Sequence, residues 1–232
     1  AIEAMGTAEL TVSGNVISGS RYGFSTGSHL VTATLRGNEI SDNSTGVAVT
    51  DSRNRIVTVA GNTFESNTIG YQGYSDVGGG SWDAGLPNVF TGNDVGVRAY
   101  QGANVAYNRF EGNRLGVQVS DIWSDSGSIH HNVFVNNTGA AVEISNSGGR
   151  SVVSNTIVTT AGIGVNVINS SRNVSVRNNI ITTDSGRAFS VATNSQQGFA
   201  SDYNNLYRTP GGEGTLVWWQ KPFYDLFDWQ VE

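Results

Sequence analysis

The sequence predicts an all-β coil of stacked rungs. Three observations predict it: a repeat of about two dozen residues, valine pairs spaced two apart inside each copy, and a composition rich in Gly and poor in charge, with Gly 30 and charged residues at 14%. The repeat is marked by Asn followed two residues later by a large apolar side chain. It runs Asn15-Val16-Ile17, Asn38-Glu39-Ile40, Asn62-Thr63-Phe64, Asn88-Val89-Phe90, Asn108-Arg109-Phe110, Asn132-Val133-Phe134, Asn155-Thr156-Ile157, Asn179-Ile180-Ile181 and Asn204-Asn205-Leu206, mostly 23 to 26 residues apart, with an inferred half-copy at the N-terminus. At such a period no unit buries its apolar face alone, so the units must stack.

Each copy reads Gly-Asn-x-Ile/Phe-x-x-Asn-x-x-Gly-Val-x-Val, then a loop, then a third short strand such as Ile56 to Val59 or Val174 to Val176. Val47 and Val49, Val97 and Ala99, Val117 and Val119, and Val165 and Val167 alternate with period two and are expected to face the core. Ala48, Gln72, Arg98, Gln118, Glu143, Asn166 and Ser190 then point outward in one column, with neighbours about 4.8 Å apart. A second Asn, at 43, 67, 93, 113 and 137, is expected to stack its amide from rung to rung. Gly before the Asn and Gly before the valine pair are expected to supply the positive φ that each corner needs.

The net charge of −6 and the single lysine, Lys221, argue against a nucleic-acid partner, which requires clustered cations. The absence of Cys excludes disulfides and thiolate metal sites. No apolar stretch approaches the roughly 20 residues of a membrane span, so membrane insertion is not expected, and the first residues do not read as a signal peptide.

These repeat residues resemble the right-handed parallel β-helix repeat superfamily, that of pectate-lyase-like proteins, over roughly residues 1–207. Bacterial surface β-helix proteins of unassigned function are similar. The resemblance implies a single-stranded right-handed parallel β-helix, a solenoid of about nine rungs and about 43 Å. Residues 208–232 are expected to add a last strand, Leu216 to Trp219, and a cap of Phe223, Tyr224, Leu226, Phe227 and Trp229, with one or two helical turns in Tyr224 to Gln230. Ala1 to Met5 align with a strand of the repeat, so a longer chain or another subunit is expected to cover that end.

Two long loops, Tyr71 to Pro87 and Ser120 to Ser128, are expected to leave the same edge about 10 Å apart. They and the rung between them hold Tyr74, Asp76, Trp82, Asp83, Arg98, Tyr100, Asp121, Trp123 and Asp125, the candidate ligand-binding residues. Flat aromatic faces beside carboxylates and an Arg suit a polysaccharide, with rings on pyranose faces and charges on hydroxyls or uronates. A folded-over structural loop accounts for the same residues. Arg98 and Glu143, two rungs apart, are expected to stay unpaired. His130 and His131 adjoin the Asn132 turn, one expected inward and one outward. No cofactor is expected. Asp76 with Asp83, or Asp121 with Asp125, are the oxygen pairs that a Ca2+ would use, and solvated turn aspartates explain them equally.

The superfamily's lyases pair acidic calcium ligands with a basic residue, which here only Arg98 fits loosely. The Asn-Thr-Asp and Asp-Asp segments of its hydrolases and the Asp-Pro-His-Glu set of its epimerases are missing. The leading reading is therefore an extracellular or cell-surface, exported, non-catalytic module of a larger bacterial protein that binds polysaccharide. Its rivals are a polysaccharide lyase or glycoside hydrolase acting on acidic glycans, through Arg98, His131 and the loop aspartates, and a purely structural spacer or fibre segment.

Overall fold

A computed structural model describes residues 1–5, 8–27, 31–51, 56–78, 86–120 and 127–230. The chain winds as a parallel β-solenoid of about eight turns. Each turn contributes three short strands, because each corner Asn ends one strand and redirects the chain into the next. The strands after the second corner form an 11-stranded sheet, here called the main sheet, and those after the first corner a nine-stranded one. The third strands make a three-stranded sheet (Ala8–Ser13, Val31–Arg36, Ile56–Ala60) and a five-stranded sheet (Val105–Ala106, Ser128–His130, Ser151–Val153, Ser175–Arg177, Ala200–Asp202). All paired strands are parallel except Thr215–Trp219 with Lys221–Phe223.

The alternating residues fill the core as expected: Val47, Val97, Val117, Val119, Val165 and Val167 are buried. Tyr71, read from sequence as the start of a loop, instead takes the inward place between Val47 and Val97 and is fully buried. Phe64, Phe90, Phe110 and Phe134 stack in adjacent rungs at 4.5, 4.9 and 4.8 Å, with nearly parallel rings. Offset stacking of this kind adds about 0.5–1.5 kcal/mol per pair beyond area burial.

Two amide ladders hold the corners. From Asn15 through Asn204 each first-corner Nδ2 donates to the next Asn Oδ1 at 2.9–3.2 Å. The second ladder runs from Asn43 to Asn137 in the same way. These amides also bind backbone: Asn113 Nδ2 donates to the Phe90 carbonyl, and its Oδ1 accepts from the Asn93 backbone N–H. Every member after Asn15 except Asn204 is buried.

The glycines divide into two roles, where the sequence suggested one. Gly before the corner Asn does adopt positive φ, as at Gly37 and Gly61. Gly before the valine pair does not; it supplies room. A Cβ on Gly116 would lie 2.5 Å from the Ala141 carbonyl and 2.9 Å from the Phe134 ring.

At the C-terminal end Phe223, Trp219, Leu226 and Trp229 pack against the core, with Trp229 5.4 Å from both Trp219 and Phe223. The helix is Leu226–Gln230. Tyr224 and Phe227, expected in the cap, are 52% and 73% exposed: Tyr224 precedes the helix, and the single helical turn presents only the side of Leu226 and Trp229 to the core. At the other end Ile2–Ala4 pairs in register with Phe24–Thr26, as the repeat alignment requires.

Asn113→Ala strips the Asn93 N–H and the Phe90 carbonyl of their amide partner. At about 1–3 kcal/mol per orphaned buried group, the loss is about 2–6 kcal/mol, read by urea denaturation.

Candidate functional site

The main sheet's outer face is built by register. Gln72, Arg98, Gln118, Glu143, Asn166, Ser190 and Trp218 are consecutive partners in one column. Ala48 belongs to that column but is buried, a single methyl group beside the longer Gln72. The column is knitted together. Arg98 Nε donates to Gln118 Oε1 at 2.8 Å, Gln118 Nε2 to Glu143 Oε1 at 3.1 Å, and Asn166 Nδ2 to Glu143 Oε2 at 3.2 Å. Arg98 and Glu143 are thus bridged by the amide between them rather than unpaired, since a Gln offers an acceptor to one side and a donor to the other. Beside the column, Arg114 hydrogen-bonds Asp94 and holds its carboxyl below the usual range.

Of the nine candidate residues, Trp82, Asp83, Asp121, Trp123 and Asp125 lie outside the described residues. The other four divide into three groups. Tyr74 and Tyr100 each follow a main-sheet strand in adjacent rungs, half-buried, with ring centroids 5.2 Å apart and tilted by 47°. Arg98 lies in the hydrogen-bonded column. Asp76 turns toward the third-strand face, where its carboxylate accepts from the Asn104 backbone N–H at 2.7 Å and from Asn104 Nδ2.

The two long loops leave from different places, contrary to the expectation of a shared edge. Val77 bridges Val105 and is buried, so it takes the third-strand position of its rung. Gly78 then lies flat on the next rung, where a Cβ would come within 1.7 Å of the Ala106 carbonyl, and its N–H donates to the Val59 carbonyl. The chain rejoins the stack at Leu86, whose carbonyl accepts from Gly61. The first insertion therefore begins after the third strand, whereas residues 121–126 precede the third strand Ser128–His130.

At the first corner Tyr107, which the sequence did not single out, joins the two histidines that it did. Ile129 is the inward residue of its strand, so His130 points outward, and His131 occupies the turn at φ 54. Neither imidazole enters the core, because the turn breaks the strand alternation. Their Nδ1 atoms are 2.9 Å apart. Tyr107, one rung earlier at φ 58, stacks on His131 at 5.0 Å and meets His130 edge-on at 5.7 Å. Desolvation by partial burial, then the neighbouring His131, push the His130 pKa down. The legible signal was positional: Gly37 and Gly61 occupy the same place before Asn38 and Asn62, so a His there must share their left-handed turn.

Arg150 was also missed. It is 1% exposed, donates from Nη1 to the Ala103 carbonyl and from Nε to Ser147, and occupies space that a Cβ on Gly127 would invade.

A family model described as NosD, periplasmic copper-binding protein, matches residues 1–79 and 84–214. The chain belongs to the NosD family. No curated protein and no solved structure matches it. As a NosD-family protein, whose repeats are those of the parallel β-helix superfamily, it is an exported β-helix module. Among the described residues no helix is long and apolar enough to cross a membrane. For metal chemistry this NosD-family chain has no Cys and one Met, Met5, and the described residues hold no group of three or more His, Cys, Asp or Glu that could together hold an ion.

Burial raises the Tyr71 phenol well above its ordinary value, an effect partly offset by hydrogen bonding with Ser75. A phenol raised on folding contributes stability that is intact below its unfolded pKa of about 10 and is lost as pH rises through the folded value. Near-UV absorbance is expected to show Tyr71 un-ionised until the fold opens, and Tyr71→Phe to lessen the alkaline loss of stability.

Proposed function

We propose that this chain is a non-catalytic binding module that holds ligand at the ends of the main-sheet strands and on the neighbouring turn face. The observation that carries the non-catalytic reading is the Arg98–Gln118–Glu143–Asn166 ladder. A cation and a carboxylate that a sugar-cleaving enzyme would direct at a glycosidic bond are here held to their own column. Glycoside hydrolysis further demands two carboxyls about 5–10 Å apart across the bond, one of them kept protonated.

Polysaccharide is the ligand class that the Tyr74–Tyr100 pair favours, because two tilted rings one rung apart offer the flat faces on which pyranose rings stack. Trp82, Asp83, Asp121, Trp123 and Asp125 join them in this reading, with Arg98 and Asp76 contributing whatever capacity their existing hydrogen bonds leave.

Copper, named in the family description, is the second reading, favoured by the His130–His131 pair. The fit is partial. Imidazole suits copper, but the two Nδ1 atoms face each other across one hydrogen bond, and the described residues hold no group of three or more His, Cys, Asp or Glu that could hold the ion.

Glycan-array binding tests the first reading. Tyr74→Ala, Tyr100→Ala, Trp82→Ala and Trp123→Ala are each expected to cost about 0.5–1.5 kcal/mol of glycan affinity with the melting temperature little changed. New unsaturated ends or reducing sugar from pectate, alginate or glycosaminoglycans, with or without calcium, would overturn the non-catalytic reading. An array without hits and a chain that takes up no copper would favour a structural spacer.

A further inference from the structure

We propose that the outer face of the main sheet holds a subsite for a short neutral saccharide, in a hollow over Ser25. This rests on the polysaccharide reading above and gives it a cavity and a ligand charge. The hollow follows from the register. Glu3, Ser25 and Ala48 are consecutive partners in the column that continues through Gln72 and Arg98. From Arg98 to Asn166 the column's long side chains reach one another and cover the sheet. Ser25 and Ala48 are too short to do so, and the face sinks. The volume is about 730 Å3, within the roughly 300–1,000 Å3 of small-molecule sites.

Its walls carry complementary chemistry. The strand Tyr22–Thr26 crosses the hollow, so Arg21 and Tyr22 line one side and Thr50, which follows the next strand, lines the other. Arg21 lies over the Tyr22 ring at 5.1 Å from its centroid, held by a cation–π contact, and Tyr22 is 36% exposed. Glu3 lines one end. Among the described residues neither Glu3 nor Arg21 enters an ion pair, in contrast to Arg109 with Glu111 and Arg114 with Asp94. Glu3 only accepts hydrogen bonds, Arg21 only donates them, and Ser25 does both. The hydroxyls and ring oxygen of a sugar use all three, while Tyr22 supplies a flat apolar surface.

The charge balance selects the ligand. One cation and one carboxylate leave the hollow without net charge, and Glu3 opposes a uronate in a chain whose net charge is already −6. A neutral ring meets no such opposition. The hollow also adjoins the aromatic pair. Thr50 follows Val49 as Tyr74 follows Gly73 and Tyr100 follows Ala99, in successive rungs of one row. At about 4.8 Å per rung, Tyr74 stands one step beyond Thr50, so a saccharide seated over Ser25 extends along the solenoid axis toward Tyr74 and Tyr100.

The test is titration calorimetry of the full chain with xylotriose, cellotriose, mannotriose and chitotriose, and with trigalacturonate as the acidic counterpart. At least one neutral trisaccharide is expected to bind, and more tightly than trigalacturonate. Ser25→Gln fills the hollow with the side chain that the same column carries at Gln72 and Gln118, so the fold accommodates it. Binding is expected to fall at least about tenfold with the melting temperature unchanged. Tyr22→Ala, which removes the ring and the support of Arg21, is expected to weaken binding about two- to tenfold. Glu9→Gln, in the strand Ala8–Ser13 of another sheet, is expected to bind as the parent does. Glycan-array hits without neutral-trisaccharide binding, or Ser25→Gln and Tyr22→Ala proteins that keep parental affinity, overturn the subsite while the polysaccharide reading stands. Tighter binding of trigalacturonate overturns the neutral assignment. A parent that binds neither the trisaccharides nor any arrayed glycan overturns both.

Discussion

The structure depends on the buried corner amides. A coil that turns three times per rung leaves backbone N–H and carbonyl groups at every corner without a strand partner, and each left unsatisfied inside would cost on the order of 1–3 kcal/mol. Asparagine solves this with one side chain: its Oδ1 accepts from the preceding rung's backbone N–H and amide, and its Nδ2 donates both to a carbonyl and to the following Asn. Because each amide is satisfied only by the next, the ladders also fix the vertical register. The Phe64–Phe134 stack and the outer-face column inherit their alignment from it. An apolar core by itself would tolerate slippage between rungs; a chain of reciprocal amides does not.

This explains what was legible in the sequence. Inward valines, both Asn columns and the order of the outer column follow from the period, since every rung repeats the same backbone problem and answers it with the same residues. Tyr71 was misread because it stands where other rungs place Val, Phe or Ile, and a Tyr next to a Gly-rich segment suggests a loop. Only the pairing of Val77 with Val105 shows that the rung closes before the insertion starts. Ala48 and the two glycine roles were misjudged for the same reason: spacing gives direction, and clearance depends on what the neighbouring rung brings close.

The candidate site was less legible because it lies where the repeat is broken. Arg98, Glu143 and Gln118 were correctly placed in one column, but whether their charges stand apart depends on side-chain reach across about 4.8 Å, which the period does not set. Tyr107, His130 and His131 were mute as a sequence motif because their meeting requires two non-glycine residues in left-handed turns one rung apart. Such conformations are uncommon outside Gly, Asn and Asp, and where they persist the surrounding structure enforces them.

Gly78 has a consequence for how such chains diversify. By lying against the Ala106 carbonyl it completes its layer at residue 78, and the stack resumes at Leu86, so the insertion begins and ends on layers that are already closed. Loop closure entropy grows only slowly with length, so the excursion can be lengthened, shortened or rewritten at little cost to the layers above and below. New surface chemistry can then be acquired by inheritance at this position without renegotiating the tower that carries it.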